Sequence, residues 1–233
     1  MHRFYNGSYN MPPTLSHFTI FGERCSGTNL LEYLICKNFN LKLTWEYGWK
    51  HFFGFKDLSV MNTEHCIFFV IYRDPYDWVE SFFKTPHHVS PKLSNNIKDF
   101  ISNEWMSVYD MNQHEKLHQE IMEDRNIESP KERYENICEM RTIKSKYLLQ
   151  TLPNQVENIF KIKYETLRDY PAVILSKISE YFHLNMIHEI PITPDFDARV
   201  YNNEKRIVIY LSLIHISEPT RPERISYAVF CLK

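Results

Sequence analysis

Short apolar runs alternate along this chain with segments in which apolar residues recur every three or four positions. The runs at His17–Phe21, Cys66–Tyr72 and Asn158–Lys163 predict β-strands. The run "CIFFVIY" at Cys66–Tyr72 is almost continuously apolar, as expected of a strand that is buried on both faces of a parallel sheet. The helical spacing predicts amphipathic helices at three places: Asn29–Phe39, Tyr134–Leu149 and Tyr170–Phe182.

Strands that alternate with helices predict an α/β fold, in three layers, with helices flanking a central parallel sheet. Residues 91–150 read as mostly helical and polar, whereas Thr44–Phe55, "TWEYGWKHFFGF", is too aromatic and irregular to assign. The chain shows no internal repeat and no low-complexity linker, so residues 1–210 are predicted to form a single domain.

Composition narrows the class of protein. With 43% hydrophobic and 24% charged residues, the 233-residue chain is globular, and a net charge of −2 offers no basis for binding nucleic acid or an anionic membrane. The N-terminus lacks a signal-peptide core, and no apolar run is long enough to span a bilayer, which predicts a cytoplasmic protein. The five cysteines show neither metal-ligand nor disulfide spacing, so reduced thiols are expected.

The C-terminal segment Leu211–Lys233, "LSLIHISEPTRPERISYAVFCLK", resembles the translation of a sequencing adapter. We therefore expect it to be a non-native tail, with the natural chain interrupted after about Tyr210.

The stretch "FGERCSGTNLL" has the form of an anion-binding loop between a strand and a helix. Gly22 and Gly27 have the spacing of a phosphate-binding P-loop, but Thr28 and Asn29 stand where nucleotide hydrolases have Lys and Ser or Thr. Amide N–H groups and the helix dipole would attract an anion here, yet a metal-bound triphosphate is a poor ligand without the lysine. The alternative is that the glycines only form a turn.

A second candidate element is "RDPYDWVES". Arg73 follows the predicted central strand, at the strand end where α/β proteins bind ligands, and Ser81 lies eight residues further along the next helix. Asp74 and Pro75 suit the N-cap and first position of that helix. The alternative is that Arg73 only pairs with Asp77 or Glu80.

Together the two elements resemble the sulfotransferases that use 3′-phosphoadenosine 5′-phosphosulfate (PAPS). A third piece, "IKYETLRDYPAVILSKISEYFHL", is similar to a late strand and helix of that family, and the three pieces follow the family order over residues 16–184. The resemblance implies a P-loop-like fold, PAPS as donor, adenosine 3′,5′-bisphosphate as product and no metal. It also implies a hydroxyl or amine acceptor on a small molecule or carbohydrate. The residues expected to bind the cofactor are Arg24, Cys25, Ser26, Gly27, Thr28, Asn29, Arg73 and Ser81.

The chain departs from the family at one position of the loop. Where the family has Lys or Arg against the bridging oxygen, this sequence has Cys25, so Arg24 is expected to supply the positive charge to the reaction. A basic segment that the family places near its C-terminus has at most a remnant in Asn202–Arg206, "NNEKR".

The general base is expected between the two cofactor motifs, as His51 or alternatively Glu46. The aromatic residues around His51 would form either an acceptor pocket or part of the core. Arg141 and Lys144 are expected on a charged helix face. A nucleotide or metabolite kinase, and a non-catalytic nucleotide-binding relative, are the alternative functions.

Overall fold

A computed structural model describes residues 14–110 and 115–193. Within these ranges the strands form one sheet in the order β2-β1-β3-β4, and every pairing is parallel. The predicted α/β fold with a central parallel sheet is thereby confirmed. The strands are β1 His17–Phe21, β2 Lys42–Leu43, β3 Cys66–Tyr72 and β4 Ile159–Lys163. The expected tail at Leu211–Lys233 and the basic remnant at Asn202–Arg206 lie outside the described residues.

Helices flank the sheet, and the three whose bounds were predicted begin and end within a few residues of those bounds, whereas Ile97–Ser102 and Tyr164–Asp169 were not predicted as individual helices. The longest predicted helix, Tyr134–Leu149, is α-helical only to Lys146 and then continues as a π-helical turn over Tyr147–Thr151. No helix in the described ranges is both long enough and apolar enough to cross a membrane. The helices are α1 Thr28–Asn38, α2 Pro75–Lys84, α3 Ile97–Ser102, α4 Ile137–Lys146, α5 Tyr164–Asp169 and α6 Pro171–Phe182.

The prediction that residues 91–150 are mostly helical is wrong. Between α3 and α4 the chain runs through turns and bends, with a single short 3₁₀ turn at Met122–Asp124 in the part that is described. Trp105 and Tyr134 are almost fully buried although they lie outside any helix. Packing of individual side chains therefore holds this segment in place. Such packing requires no helical spacing of apolar residues in the sequence.

The sheet is buried on both faces. Ile67, Phe69 and Ile71 of β3 pack in a cluster with α1 and α6, whereas Phe68 and Val70 pack on the opposite face. Successive residues of a strand point to opposite faces, so a continuously apolar β3 matches this arrangement. The nearly uninterrupted apolar run "CIFFVIY" therefore correctly predicted a strand that is buried on both faces, and β3 lies between β1 and β4 in the sheet.

The order of the strands places the two sequence motifs side by side. From β1 the chain crosses to β2 on one side and later to β3 on the other, so β1 and β3 flank a topological switch point. Their parallel register pairs Phe21 with Val70, which brings the loop after β1 and Arg73 after β3 to the same edge. Crevices at such edges are where open α/β sheets bind ligands.

Candidate functional site

Two glycines shape the loop between β1 and α1. Gly22 passes so close to β3 that an added Cβ would lie 2.6 Å from the carbonyl oxygen of Ile71. Gly27 is the N-cap of α1 and has a left-handed backbone, with φ of 88°. An added Cβ at Gly27 would lie 2.7 Å from Cε2 of Tyr164 and closer still to Cδ2. Both positions therefore require glycine, and Tyr164 at the end of β4 forms one wall of the loop.

The loop presents a set of amide N–H groups that bond to no acceptor. Two amides are used internally, because Arg24 N donates to the Glu23 carboxylate at 2.8 Å and Ser26 N to the Glu23 carbonyl at 3.1 Å. Among the described residues, no acceptor is present for four other amides. These belong to Cys25, Gly27, Thr28 and Asn29. Free amides at the start of a helix are donors that an anion could accept, so the structure supplies the donors on which the predicted anion site depends.

Arg73 lies beside this loop and has no anionic partner in the part of the chain that the structure describes. Its side chain is buried, it donates from Nη1 to the Cys25 carbonyl at 2.9 Å, and its guanidinium lies 4.6 Å from the Tyr164 ring centre. Its Nε is buried without a hydrogen-bond partner, and within residues 14–110 and 115–193 it forms no ion pair with a carboxylate. The alternative of pairing with Asp77 or Glu80 is thus not realised there. Because an unpaired buried cation is costly, the arrangement favours an anionic ligand.

Ser81 and Arg73 both contact Cys25, so the two motifs meet at one residue. The Ser81 side chain lies beside the Cys25 thiol, which donates to the Thr85 carbonyl at 3.6 Å. Burial raises the pKa of Cys25 to about 11, so this thiol stays protonated at neutral pH. A thiolate nucleophile is therefore not available at this position.

The expectation that Arg24 supplies charge to the reaction requires correction. Its side chain is 1% exposed, and Nε donates to Glu23 at 2.7 Å while Nη2 donates to Asp124 at 2.8 Å. Nη1 donates to Ser107 at 2.9 Å, and the guanidinium lies 5.0 Å from the Phe82 ring centre. Although burial opposes it, Asp124 and Glu23 raise the pKa of Arg24. The guanidinium is saturated by protein partners and cannot contact a ligand without breaking them.

Lys144 belongs to the same buried cluster, contrary to its expected place on a charged helix face. Its side chain is 2% exposed, and Nζ donates to Glu23 at 2.7 Å, to the His51 carbonyl at 2.9 Å and to Asp124. Burial would raise the pKa of Glu23, but Arg24 and Lys144 hold it well below its ordinary value. Two carboxylates and two cations are therefore buried together beneath the loop. Arg141, on the same helix, donates to the Arg73 carbonyl at 2.6 Å.

Lys50 is a cation beside the loop that was not among the residues predicted from the sequence. Its Nζ lies 2.5 Å from Asn29 Oδ1, in the first turn of α1, and 3.3 Å from Glu32. The Lys50 ammonium is also 5.4 Å from the ring centre of Trp49. In the sequence Lys50 could have been noticed because it precedes His51 in "GWKHFF". Its closeness to Asn29 is visible only in the structure, where this segment folds back against the loop.

His51 contacts the loop directly. Its Nδ1 lies 2.8 Å from the Gly22 carbonyl, which as an acceptor requires the proton on Nδ1 and leaves Nε2 with a lone pair. Burial lowers the pKa of His51 to about 3, so the ring is neutral at pH 7. Glu46 is exposed, its backbone contacts Thr44 and Lys56, and none of the described contacts joins its carboxylate to the loop.

The aromatic residues around His51 divide between the core and the surface. Tyr47 and Phe53 are buried in the cluster beneath the sheet. Trp49 is 41% exposed and packs against Trp45, with ring centres 4.8 Å apart. Tyr47 and Phe53 thus belong to the core, whereas the acceptor pocket predicted for this segment stays a prediction, with Trp49 and Trp45 as the aromatic residues left to form it.

No group of three or more His, Cys, Asp or Glu side chains in the described ranges is arranged to hold a metal ion. Comparisons of this chain with models of protein families, with curated proteins and with solved structures find no match.

Proposed function

We propose that this protein is a sulfotransferase that moves a sulfuryl group from PAPS to a hydroxyl or amine of an acceptor. The observation that carries the proposal is Arg73, a buried arginine that bonds the Cys25 carbonyl of the glycine loop and has no anionic partner in the described ranges. Two anion-binding elements thus lie side by side, and neither requires a metal. PAPS is a ligand of this type, with a phosphosulfate at one end and a separate 3′-phosphate.

The residues of the site suit the two ends of this donor. The free amides of the loop, with the Thr28 and Asn29 side chains, fit the 5′-phosphosulfate. Arg73 and Ser81 fit the 3′-phosphate, for which a planar guanidinium is well matched. In the proposal Lys50 takes the role expected of Arg24, because its ammonium lies at the first turn of α1.

The proposed base is His51. The Gly22 carbonyl holds the proton on Nδ1, so the lone pair of Nε2 would take the proton of the acceptor hydroxyl or amine. Because burial lowers the pKa of the ring to about 3, this transfer would depend on the negative charge of the bound phosphosulfate, which raises the pKa of a nearby histidine. The acceptor oxygen or nitrogen then attacks sulfur in line, and the bond from sulfur to the bridging oxygen breaks. Adenosine 3′,5′-bisphosphate leaves with the electron pair of that bond. The loop amides and the Lys50 ammonium would stabilise the negative charge that develops on its oxygen.

Ligand-induced stabilisation tests the donor. A ligand at 100 times its Kd stabilises the folded state by about 2.7 kcal/mol, which a thermal shift assay detects readily. We expect adenosine 3′,5′-bisphosphate to raise the Tm more than AMP, the matched ligand without a 3′-phosphate, and more than ATP with Mg²⁺. Stabilisation by ATP with Mg²⁺ alone would overturn the proposal in favour of a kinase.

Turnover tests the reaction itself. Transfer of radiolabelled sulfate from PAPS to a panel of phenols, sugars and amines should be detected with at least one acceptor class, and His51→Ala should abolish most of it. Bisphosphate binding with no transfer to any acceptor would support the non-catalytic alternative. An active His51→Ala variant would remove His51 as the base.

A further inference from the structure

Lys144 joins three segments of chain that are far apart in sequence. Its ammonium donates to Glu23 in the glycine loop, to the backbone carbonyl of His51 and to Asp124 in the segment before α4. We propose that Lys144 is a positioning residue that fixes His51 relative to the glycine loop. This inference rests on the proposed function, because it assigns a purpose to the placement of the proposed base.

Few bonds hold His51 in place. The segment between β2 and β3 has no regular secondary structure around this residue, apart from turns and an isolated bridge between Trp49 and Phe52. Gly22 N donates to the Lys50 carbonyl at 3.0 Å, and the His51 ring donates to the Gly22 carbonyl at 2.8 Å. The next peptide carbonyl, that of His51, accepts from Lys144 at 2.9 Å. Among the described contacts, the hydrogen bond from Lys144 is the one that holds the carbonyl group of His51.

The same ammonium also holds the loop. Glu23 receives Lys144 at Oε2 and Arg24 at Oε1, so its carboxylate is clamped from both sides. Because Glu23 follows Gly22, the clamp lies next to the carbonyl to which the His51 ring is bonded. The Lys144 ammonium therefore restrains the position of both groups in the His51–Gly22 hydrogen bond, the imidazole through the His51 carbonyl and the Gly22 carbonyl through Glu23.

The buried cluster of Glu23, Arg24, Asp124 and Lys144 is expected to contribute little net stability to the fold. Desolvating four charged groups offsets much of their mutual attraction, and apolar replacements of similar shape often do as well. The four charges of Glu23, Arg24, Asp124 and Lys144 balance, which allows the cluster to be reduced without leaving an unpaired charge. Lys144→Met combined with Asp124→Asn removes one charge of each sign and retains the Glu23–Arg24 pair.

The ¹⁵N signals of the His51 ring provide the readout, since they report which nitrogen carries the proton and can be assigned with a His51→Asn variant. In the unmodified protein we expect the Nδ1–H form to dominate at pH 7. In Lys144→Met/Asp124→Asn we expect a mixture of tautomers and a ring pKa shifted upward toward its ordinary value. The matched control, Lys146→Met/Glu128→Gln, removes the exposed ion pair between Lys146 of the same helix and Glu128 of the preceding segment, and should leave the ring signals unchanged.

A purely structural role gives a different result. The double variant would then unfold at a lower Tm while its His51 signals stayed unchanged, and this outcome would overturn the proposal. If the double variant does not fold, Lys144→Arg is measured instead. It keeps the charge but cannot place one ammonium among three acceptors, so unchanged His51 signals in that variant contradict the proposal.

Turnover separates this inference from the proposed function. If PAPS is the donor, displacement of the base should lower kcat by about 100-fold while the Kd for adenosine 3′,5′-bisphosphate stays within about threefold. The ring signals require neither donor nor acceptor. Altered signals without bisphosphate binding in any form of the protein would therefore refute the proposed function and retain the positioning role.

Discussion

Replacement of Arg73 by lysine is the most direct test of the second anion-binding element. The change keeps the positive charge but removes the planar fork, of which Nη1 bonds the Cys25 carbonyl and Nε is buried without a partner. A lysine ammonium cannot hold the loop carbonyl and a phosphate from the same two directions. We therefore expect the loss to fall on the ligand group that Nε and the free edge of the guanidinium would bind.

The magnitude follows from the bonds involved. A hydrogen bond to a charged group contributes about 1.5–3 kcal/mol, so the Kd for adenosine 3′,5′-bisphosphate should rise about 10- to 150-fold. Loss of the stacking on Tyr164, at 4.6 Å, should lower protein stability by about 0.5–2 kcal/mol.

Calorimetry with two ligands locates the effect. Adenosine 5′-phosphosulfate lacks the 3′-phosphate, so its Kd should change less than threefold in Arg73→Lys. Arg133→Lys is the matched control, because Arg133 pairs with Glu120 and Glu104 in a separate cluster. Equal losses for both ligands would refute the assignment of Arg73 to a 3′-phosphate, and no loss for either would refute its role in binding.

Three further predictions concern stability. Gly27→Ala should lower the free energy of unfolding in urea by about 2–4 kcal/mol, because it adds a left-handed backbone cost to displacement of the Tyr164 ring; a change below about 0.5 kcal/mol would contradict the contact. The pKa of His51 is lowered from 6.5 to about 3, so between these pH values the unfolded state binds more protons than the folded state. The free energy of unfolding therefore decreases as the pH falls from 6.5 toward 3. His51→Asn should reduce the acid sensitivity of stability in that window, by at most about 1.4 kcal/mol per pH unit, and an unchanged pH profile would argue against a buried neutral ring. Hydrogen bonds from Arg133 lower the pKa of Glu120 from 4.5 to about 2, so its stabilisation is present above pH 4.5 and is lost toward pH 2. Glu120→Gln should cost about 1 kcal/mol at pH 7 and little at pH 2 by chemical denaturation, since water screens this pair; an equal cost at both pH values would exclude the charge as its cause.

Much of the fold could be predicted because its signals are local. The apolar runs of β1 and β3 have the same bounds in the sequence and in the structure, and Asp74 caps α2 at the Tyr76 amide as predicted. By contrast, β2 is only two residues long and exists through its pairing with β1, which no sequence period records. The segment between α3 and α4 follows individual buried side chains such as Trp105, and was therefore assigned wrongly.

The parts of the candidate site divide in the same way. Glycine spacing and strand ends are properties of short segments, so Gly22, Gly27 and Arg73 could be located from the sequence and are adjacent in the structure. The contact of the His51 ring with the Gly22 carbonyl could not be read from sequence, although His51 itself was selected.

The sequence by itself determined three of the four strands, helices α1, α4 and α6, the start of α2, and the lysine-free loop with an arginine at the neighbouring strand end. Only the tertiary structure decided which cations are buried beneath the loop and which one lies beside it. Arg24 and Lys144 are buried because Asp124 and Glu23, 100 and 121 residues away along the chain, neutralise them. Lys50 lies at the first turn of α1 because its segment returns to the loop. Charge pairing depends on distance in space, and a linear pattern of charges does not record that distance.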